Sequence, residues 1–300
     1  MKALITGGSG FVGRALCAHL AGRGHVLTVL SRNPAKAARV LPASVRIVSS
    51  LDEIADDAFF DGIINLAGEG IADRRWTQAR KQALLDSRVG VTEALTKLVD
   101  RLQRKPAVLV SGSAVGFYGD AGAVELTESS PAVRRDFTYL LCEAWEKSAR
   151  DLGRRGVRVC ILRIGVVLGR GGMLARLLPV YRLGLGARLG SGQQWLSWIH
   201  LEDLLQVVTD CFEQAGAEGV YNAVAPQPVS YAKFHEALAQ ACHRPALFAA
   251  PALPLKLVLG EMSVLLLGGQ RVLPARLEAQ GFSFRHPTID QALAAICSRP

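Results

Sequence analysis

Ala3-Leu4-Ile5-Thr6-Gly7-Gly8-Ser9-Gly10-Phe11-Val12-Gly13 is the stretch on which the fold turns. Residues 3–6 read as a short apolar strand, and a helical pattern opens over 14–23. Between them lies Gly8-x-Gly10-x-x-Gly13, overlapped by Gly7-x-x-Gly10-x-x-Gly13. Directly after a strand and directly before a helix, this spacing has a physical meaning. The first glycines permit a tight turn and let backbone N–H groups approach a pyrophosphate. Gly13 lets the helix pack close to the strand and aim its positive end at the phosphates. Ser9, Phe11 and Val12 fill the turn and belong to the same candidate site.

Outward from this point, strand-like and helical runs alternate. Strands are expected over 26–31, 45–48, 62–66, 107–111 and 157–162, with helices over 87–103 and 137–150. That alternation predicts an α/β fold: a Rossmann-type, doubly wound parallel sheet. Residues 1–168 are read as the cofactor-binding domain. From 169 to 300 glycine turns and proline-punctuated short elements take over, with helices near 231–242, 274–280 and 288–296. These are read as a smaller C-terminal α/β lobe closing over the cofactor, some of whose elements return to the main sheet.

Composition fits this reading. Half of the 300 residues are apolar, enough for a full core. The formal charge of +9 comes from scattered arginines instead of one basic run, so a small anionic ligand is expected and nucleic acid is not. Six cysteines show no ligand spacing, so neither disulfide nor metal is expected. The apolar run 253–267 is broken by Pro254, Lys256, Gly260, Glu261 and Ser263, too short to span a membrane. With the first strand beginning at residue 2, a cytoplasmic location is expected.

At the end of the second strand a carboxylate would bind the adenosine ribose of NAD(H). Ser31-Arg32-Asn33 stands there instead. A carboxylate would repel a 2′-phosphate, whereas Arg32 can pair with it and Ser31 can add a hydroxyl, so NADP(H) is preferred over NAD(H). After the fourth strand, Asn65-Leu66-Ala67-Gly68-Glu69 makes a small-residue turn suited to lie against the cofactor. Arg88 is a further candidate for a phosphate, and equally an ordinary surface arginine. His200, between Ile199 and Leu201, reads as structural. Glu69 and Asp120 are pocket acid–base candidates or capping residues. Gln194, Trp195 and Trp198 suit substrate contact and core packing equally well.

These stretches, together with Arg163 to Gly169, Trp198 to Asp203, Gly269 to Pro274 and Gly281-Phe282, make the chain resemble nearly end to end the "epimerase family" clade of atypical extended short-chain dehydrogenases/reductases. The resemblance implies an NADP(H) site built from the glycine turn, Ser31, Arg32, Leu66, Ala67, Arg88 and the loop near Val167, with Gly68 and Ser111 beside it. The wider superfamily transfers hydride with a Ser, a Tyr and a Lys four residues after the Tyr. Here Ser111 and Ser113 fit the serine position. Aligned on Trp145-Glu146, however, the Tyr and Lys positions hold Thr138 and Cys142; starting instead from Tyr139, the position four residues on is Glu143, and neither frame supplies the lysine. Ser113, with Tyr118 from Gly116-Phe117-Tyr118-Gly119, is the candidate catalytic pair.

The expected function is an oxidoreductase or epimerase-like activity on a small carbonyl or hydroxyl compound. The alternative is a non-catalytic NADP(H)-binding redox sensor. A homodimer through the helices near 87–103 and 137–150 is the default assembly.

Overall fold

The computed structural model describes residues 1–298. Seven strands form the central sheet: β1 (Lys2–Thr6), β2 (Val26–Leu30), β3 (Arg46–Val48), β4 (Gly62–Asn65), β5 (Val108–Ala114), β6 (Arg158–Ile164) and β7 (Gly219–Ala223). Their order is β7-β6-β5-β4-β1-β2-β3, and every neighbouring pair runs parallel. Parallel pairing needs crossover helices, which cover both faces and call for strands that are apolar throughout. β4 is accordingly buried along its whole length, and so are Leu109, Val110, Cys160, Ile161 and Leu162.

One face packs on the first helix, Phe11–Gly22, and on Leu201–Glu213, through Leu16, Leu20, Leu204 and Val208. The other packs on Val89–Arg101 and Phe137–Gly153, through Leu95, Leu98, Ala149 and Leu152. A separate core around Trp198, Phe234 and Leu293 joins the helices Gly172–Arg182, Tyr231–Ala241 and Ile289–Cys297. β7 lies beyond residue 169 in sequence yet completes the main sheet.

Succession direction reverses between β1 and β4, which opens a crevice at the carboxyl ends of the strands. Thr6 Oγ1 donates to Asn65 Oδ1 at 2.6 Å, and Asn65 Nδ2 donates to Thr92 Oγ1 at 2.9 Å, so side chains fix the floor of that crevice. Several boundaries differ from those read in the sequence. The first helix starts at Phe11, because Gly10 is its N-cap. The long helix expected over 87–103 is Val89–Arg101, and a separate helix that was not expected, Gln78–Asp86, precedes it. β5 runs on to Ala114, so Ser113 lies within the strand and not past its end. The run 253–267 breaks at Gly260, whose φ of +59° no continuing helix accepts.

Candidate functional site: a glycine turn and an apolar cavity

Two glycines of the turn are dictated by contact. Gly7 has φ +71°, and a Cβ there would collide with the Leu66 carbonyl. A Cβ on Gly13 would strike the Gly7 carbonyl and come within 2.7 Å of Gly8 Cα. The helix therefore packs directly on the turn. Gly10 caps it with no side-chain hydrogen bond, so the first N–H groups stay available, with the positive end of the helix dipole behind them. Ser9 and Gly10 are exposed at this mouth. The Phe11 ring packs on Gly169 and Gly171, which ties the loop after Val167 to the same turn. A backbone cradle that side chains would fill, over an open helix N-terminus, fits a pyrophosphate.

At the end of β2, Ser31 is nearly buried, and its hydroxyl exchanges hydrogen bonds with the Asn33 backbone. Arg32 projects outward, its side chain 86% exposed, and reaches Glu69 at 3.3 Å. Glu69 also pairs with Arg80. These hydrogen bonds, Arg80 first and then Arg32, hold its carboxyl below the usual range. Glu69 is thus a counter-ion between two arginines. Gly68 lies against Arg88, whose Cζ would be 2.9 Å from a Cβ there.

Arg88 is half-buried. It donates to the carbonyls of Leu84 at 3.1 Å and Glu69 at 3.0 Å and to Ser87 Oγ at 3.2 Å, and it lies 5.2 Å above the Trp145 ring. None of these partners is a carboxylate, and burial pulls its pKa down. It faces a cavity of about 290 Å³ between the ends of β5 and β6, the helix Phe137–Gly153, and the C-terminal segment 264–270. Thr138 and Cys142, at the positions of the superfamily's Tyr and Lys, both line it. Burial pushes the Cys142 thiol up to about 12, so it stays protonated at neutral pH.

The expected catalytic pair is placed elsewhere. Tyr118 is completely buried, its hydroxyl 2.7 Å from Asn222 Oδ1 and 2.9 Å from the Thr127 carbonyl, accepting from Arg163 Nη1 at 3.0 Å. Ser113 Oγ donates to Glu146 Oε1 at 2.9 Å. Ser111 is also fully buried, its hydroxyl on the Gly112 carbonyl. None of the three lines the cavity. All three hydroxyls are hydrogen-bonded inside the protein, and Ser113 lies against Cys142 of the cavity wall.

What joins Ser113 to Tyr118 is a buried ion pair that the sequence reading missed. Glu146, fully buried, accepts from Arg163 Nε at 2.8 Å and Nη2 at 3.0 Å, and from Arg150 at 2.6 Å. Arg163 in turn stacks 3.4 Å above the Phe117 ring. Arg163, directly after the apolar run 157–162 and within the strand as it forms, is the signal, since such a charge needs a partner.

The tryptophans divide: Trp198 is core, donating to the Gln227 carbonyl at 3.0 Å, while Trp195 lines the cavity beside Gln194. Asp120 accepts from the Gly269 amide at 3.0 Å and so positions the C-terminal segment. His200, Glu202 and His286 come together away from the cavity. His200 Nδ1 accepts the Glu202 amide at 3.2 Å as a helix cap, a use that removes this nitrogen from metal ligation.

Strand order, glycine turn and switch-point crevice define a Rossmann-type α/β protein. Comparison with known proteins narrows the class. The chain belongs to the NAD dependent epimerase/dehydratase family, whose model matches residues 3–223. Residues 250–296 match a domain of unknown function, DUF1731. The chain is 36% identical over 300 residues to epimerase family protein YfhF of Bacillus subtilis (strain 168), covering 99% of this chain and 98% of that one. It is also 36% identical over 297 residues to epimerase family protein SDR39U1 of Mus musculus, covering 98% of each. The crystal structure of human epimerase family protein SDR39U1 (isoform2) with NADPH matches with a TM-score of 0.90 at 34% identity, covering 100% of both chains. MoeE5, solved with UDP-glucose and NAD, shares the fold at 20% identity and TM-score 0.78.

Proposed function

We propose that this chain binds NADP(H) in preference to NAD(H) and uses it to oxidise or reduce a small carbonyl or hydroxyl compound in the cavity beside Thr138 and Cys142. The observation that carries the cofactor reading is the pairing of an open glycine turn with Arg32 at the end of β2. The NADPH in the human relative's crystal structure supports it. A 2′-phosphate would compete with Glu69 for Arg32, exchanging one anion for another at the same guanidinium.

When bound, the nicotinamide exchanges hydride with the substrate. The chain's own residues orient and hold. The glycine turn and the N–H groups of the first helix bind the pyrophosphate. The loop 66–69 lies along the crevice. Arg88 supplies a cation at the cavity wall from a different element than the superfamily's lysine. The Cys142 thiol keeps its proton near neutral pH. No phenol lines the cavity at the superfamily's Tyr position, and the Thr138 hydroxyl is bonded to Asp136 and the Gly116 carbonyl, so proton exchange at the substrate oxygen runs through solvent. A screen of carbonyl compounds following NADPH absorbance tests this reading: turnover that falls on Arg88→Met supports it.

Thr138 and Cys142 in place of Tyr and Lys favour a second reading, a non-catalytic NADP(H)-binding sensor. That protein would bind the cofactor, turn over none of the compounds screened and change its affinity for a partner with cofactor redox state.

A further inference from the structure

We infer that the cavity selects an apolar ring compound carrying one or two carbonyl oxygens, such as a quinone or aryl ketone, and discriminates against the pyranose of a sugar nucleotide. This deepens the proposed function and rests on it for the identity of the hydride donor.

Most polar side chains around the cavity are already committed. The Gln194 amide donates to the carbonyls of Leu189 at 3.0 Å and Leu266 at 2.9 Å. Ser197 Oγ donates to the Gln270 carbonyl at 2.7 Å and accepts from the Val272 amide at 2.9 Å. The Tyr231 hydroxyl is bonded to Tyr181. The Thr138 hydroxyl lies 2.6 Å from Asp136 and 3.1 Å from the Gly116 carbonyl. Arg88, Trp145 Nε1, Trp195 and the Gln270 amide keep donors to offer.

The rest of the wall is apolar or aromatic, with Leu141, Ile164, Met173, Leu196, Leu265 and Leu266 among it. A pyranose brings hydroxyls around its whole rim, and each one buried without a partner opposes binding. A flat ring with one or two carbonyl oxygens needs only the donors that remain, and its faces match aromatic and aliphatic neighbours. The volume, about 290 Å³, suits a ligand of one or two fused rings.

The test is calorimetry on the protein saturated with NADP⁺, which has no hydride to give a carbonyl probe, with absorbance at 340 nm showing whether a sugar hydroxyl is oxidised. The probes are duroquinone and 1-acetonaphthone, neither of which alkylates thiols, against UDP-glucose and UDP-galactose. The inference expects at least one carbonyl probe to bind at least tenfold more tightly than either sugar nucleotide. It also expects Leu266→Gln and Leu196→Asn each to weaken that probe by about tenfold or more while NADP⁺ affinity stays within twofold. Two substitutions on different elements guard against one failing to fold, and melting curves identify that case. Tighter binding of a UDP-sugar, no binding of either carbonyl probe, or indifference to both substitutions overturns the inference. If NADP⁺ and NADPH themselves do not bind, the cofactor reading fails instead.

Discussion

Replacing Glu146 by Gln keeps the side chain's shape and removes its charge. Arg163 is 4% exposed at its side chain and would keep its charge with no carboxylate beside it. Four donors converge on Glu146: Arg163 Nε, Arg163 Nη2, Arg150 and Ser113. Breaking a buried ion pair from one side typically costs about 3–5 kcal/mol, because the remaining charge stays desolvated. That is a large share of the roughly 5–15 kcal/mol that holds a domain folded. At about 2–4 °C per kcal/mol for domains somewhat smaller than this chain, the midpoint should fall by roughly 6–20 °C. The Arg150 half of the cluster should contribute far less, since its side chain is 50% exposed. Arg150→Gln is expected to change stability by no more than about 1 kcal/mol. The assay is urea unfolding of parent, Glu146→Gln and Arg150→Gln, followed by far-ultraviolet circular dichroism. A Glu146→Gln protein within about 1 kcal/mol of the parent, or two variants equal in cost, would refute the reasoning.

Other expectations follow from particular contacts. Gly7→Ala forces a left-handed residue worth about 1–2 kcal/mol and a collision with the Leu66 carbonyl, so a lowered midpoint and loss of NADPH binding are expected together. NADPH affinity unchanged in that variant would mean the turn does not carry the cofactor. Cys17 and Cys142 are both pushed up to about 12 by burial, from an ordinary value of 9.0. Their thiols must stay neutral in the fold while the unfolded chain ionises, so stability is full below pH 9 and falls above it. The slope is about 1.4 kcal/mol per pH unit for each thiol, up to pH about 12. Urea unfolding at pH 8, 9 and 10 should show this loss, and Cys17→Ala with Cys142→Ala should reduce it, leaving the part carried by Cys211 and Cys297, whose thiols are also raised. Asp136→Ala removes the carboxylate that caps Thr138 and Tyr139, and an increase in unfolding by about 1 kcal/mol is expected from thermal melts.

The glycine turn was legible because every link in its argument is local: strand, turn and helix follow within eleven residues. The parallel sheet was legible for a related reason, since apolar runs such as 62–66 and 157–162 can only be strands covered on both faces. The separate helix Gln78–Asp86 escaped because its Gln, Arg, Lys and Asp leave only a short apolar stripe around Leu84. Glu146 and Arg163 stand 17 positions apart on a helix and a strand, and no spacing rule links such a pair. Tyr118 illustrates the same limit. Its nearness in sequence to Ser113 suggested a shared pocket, but its hydroxyl is satisfied by Asn222, more than a hundred residues away. The cavity's far wall comes from residues 264–270, which no local pattern links to the ends of β5 and β6. Local chemistry was readable, and tertiary pairing of polar groups was not.

The most direct measurement is a fluorescence titration of the purified protein with NADPH and with NADH, repeated on Arg32→Ala. The account predicts that NADPH binds more tightly than NADH. Losing one charge-assisted contact, about 1.5–3 kcal/mol, should weaken NADPH by roughly 10- to 150-fold and leave NADH unchanged. Equal affinity for the two nucleotides, or an Arg32→Ala protein that keeps its preference, would contradict the assignment of the 2′-phosphate to Arg32. Binding of neither would remove the glycine turn as a cofactor site.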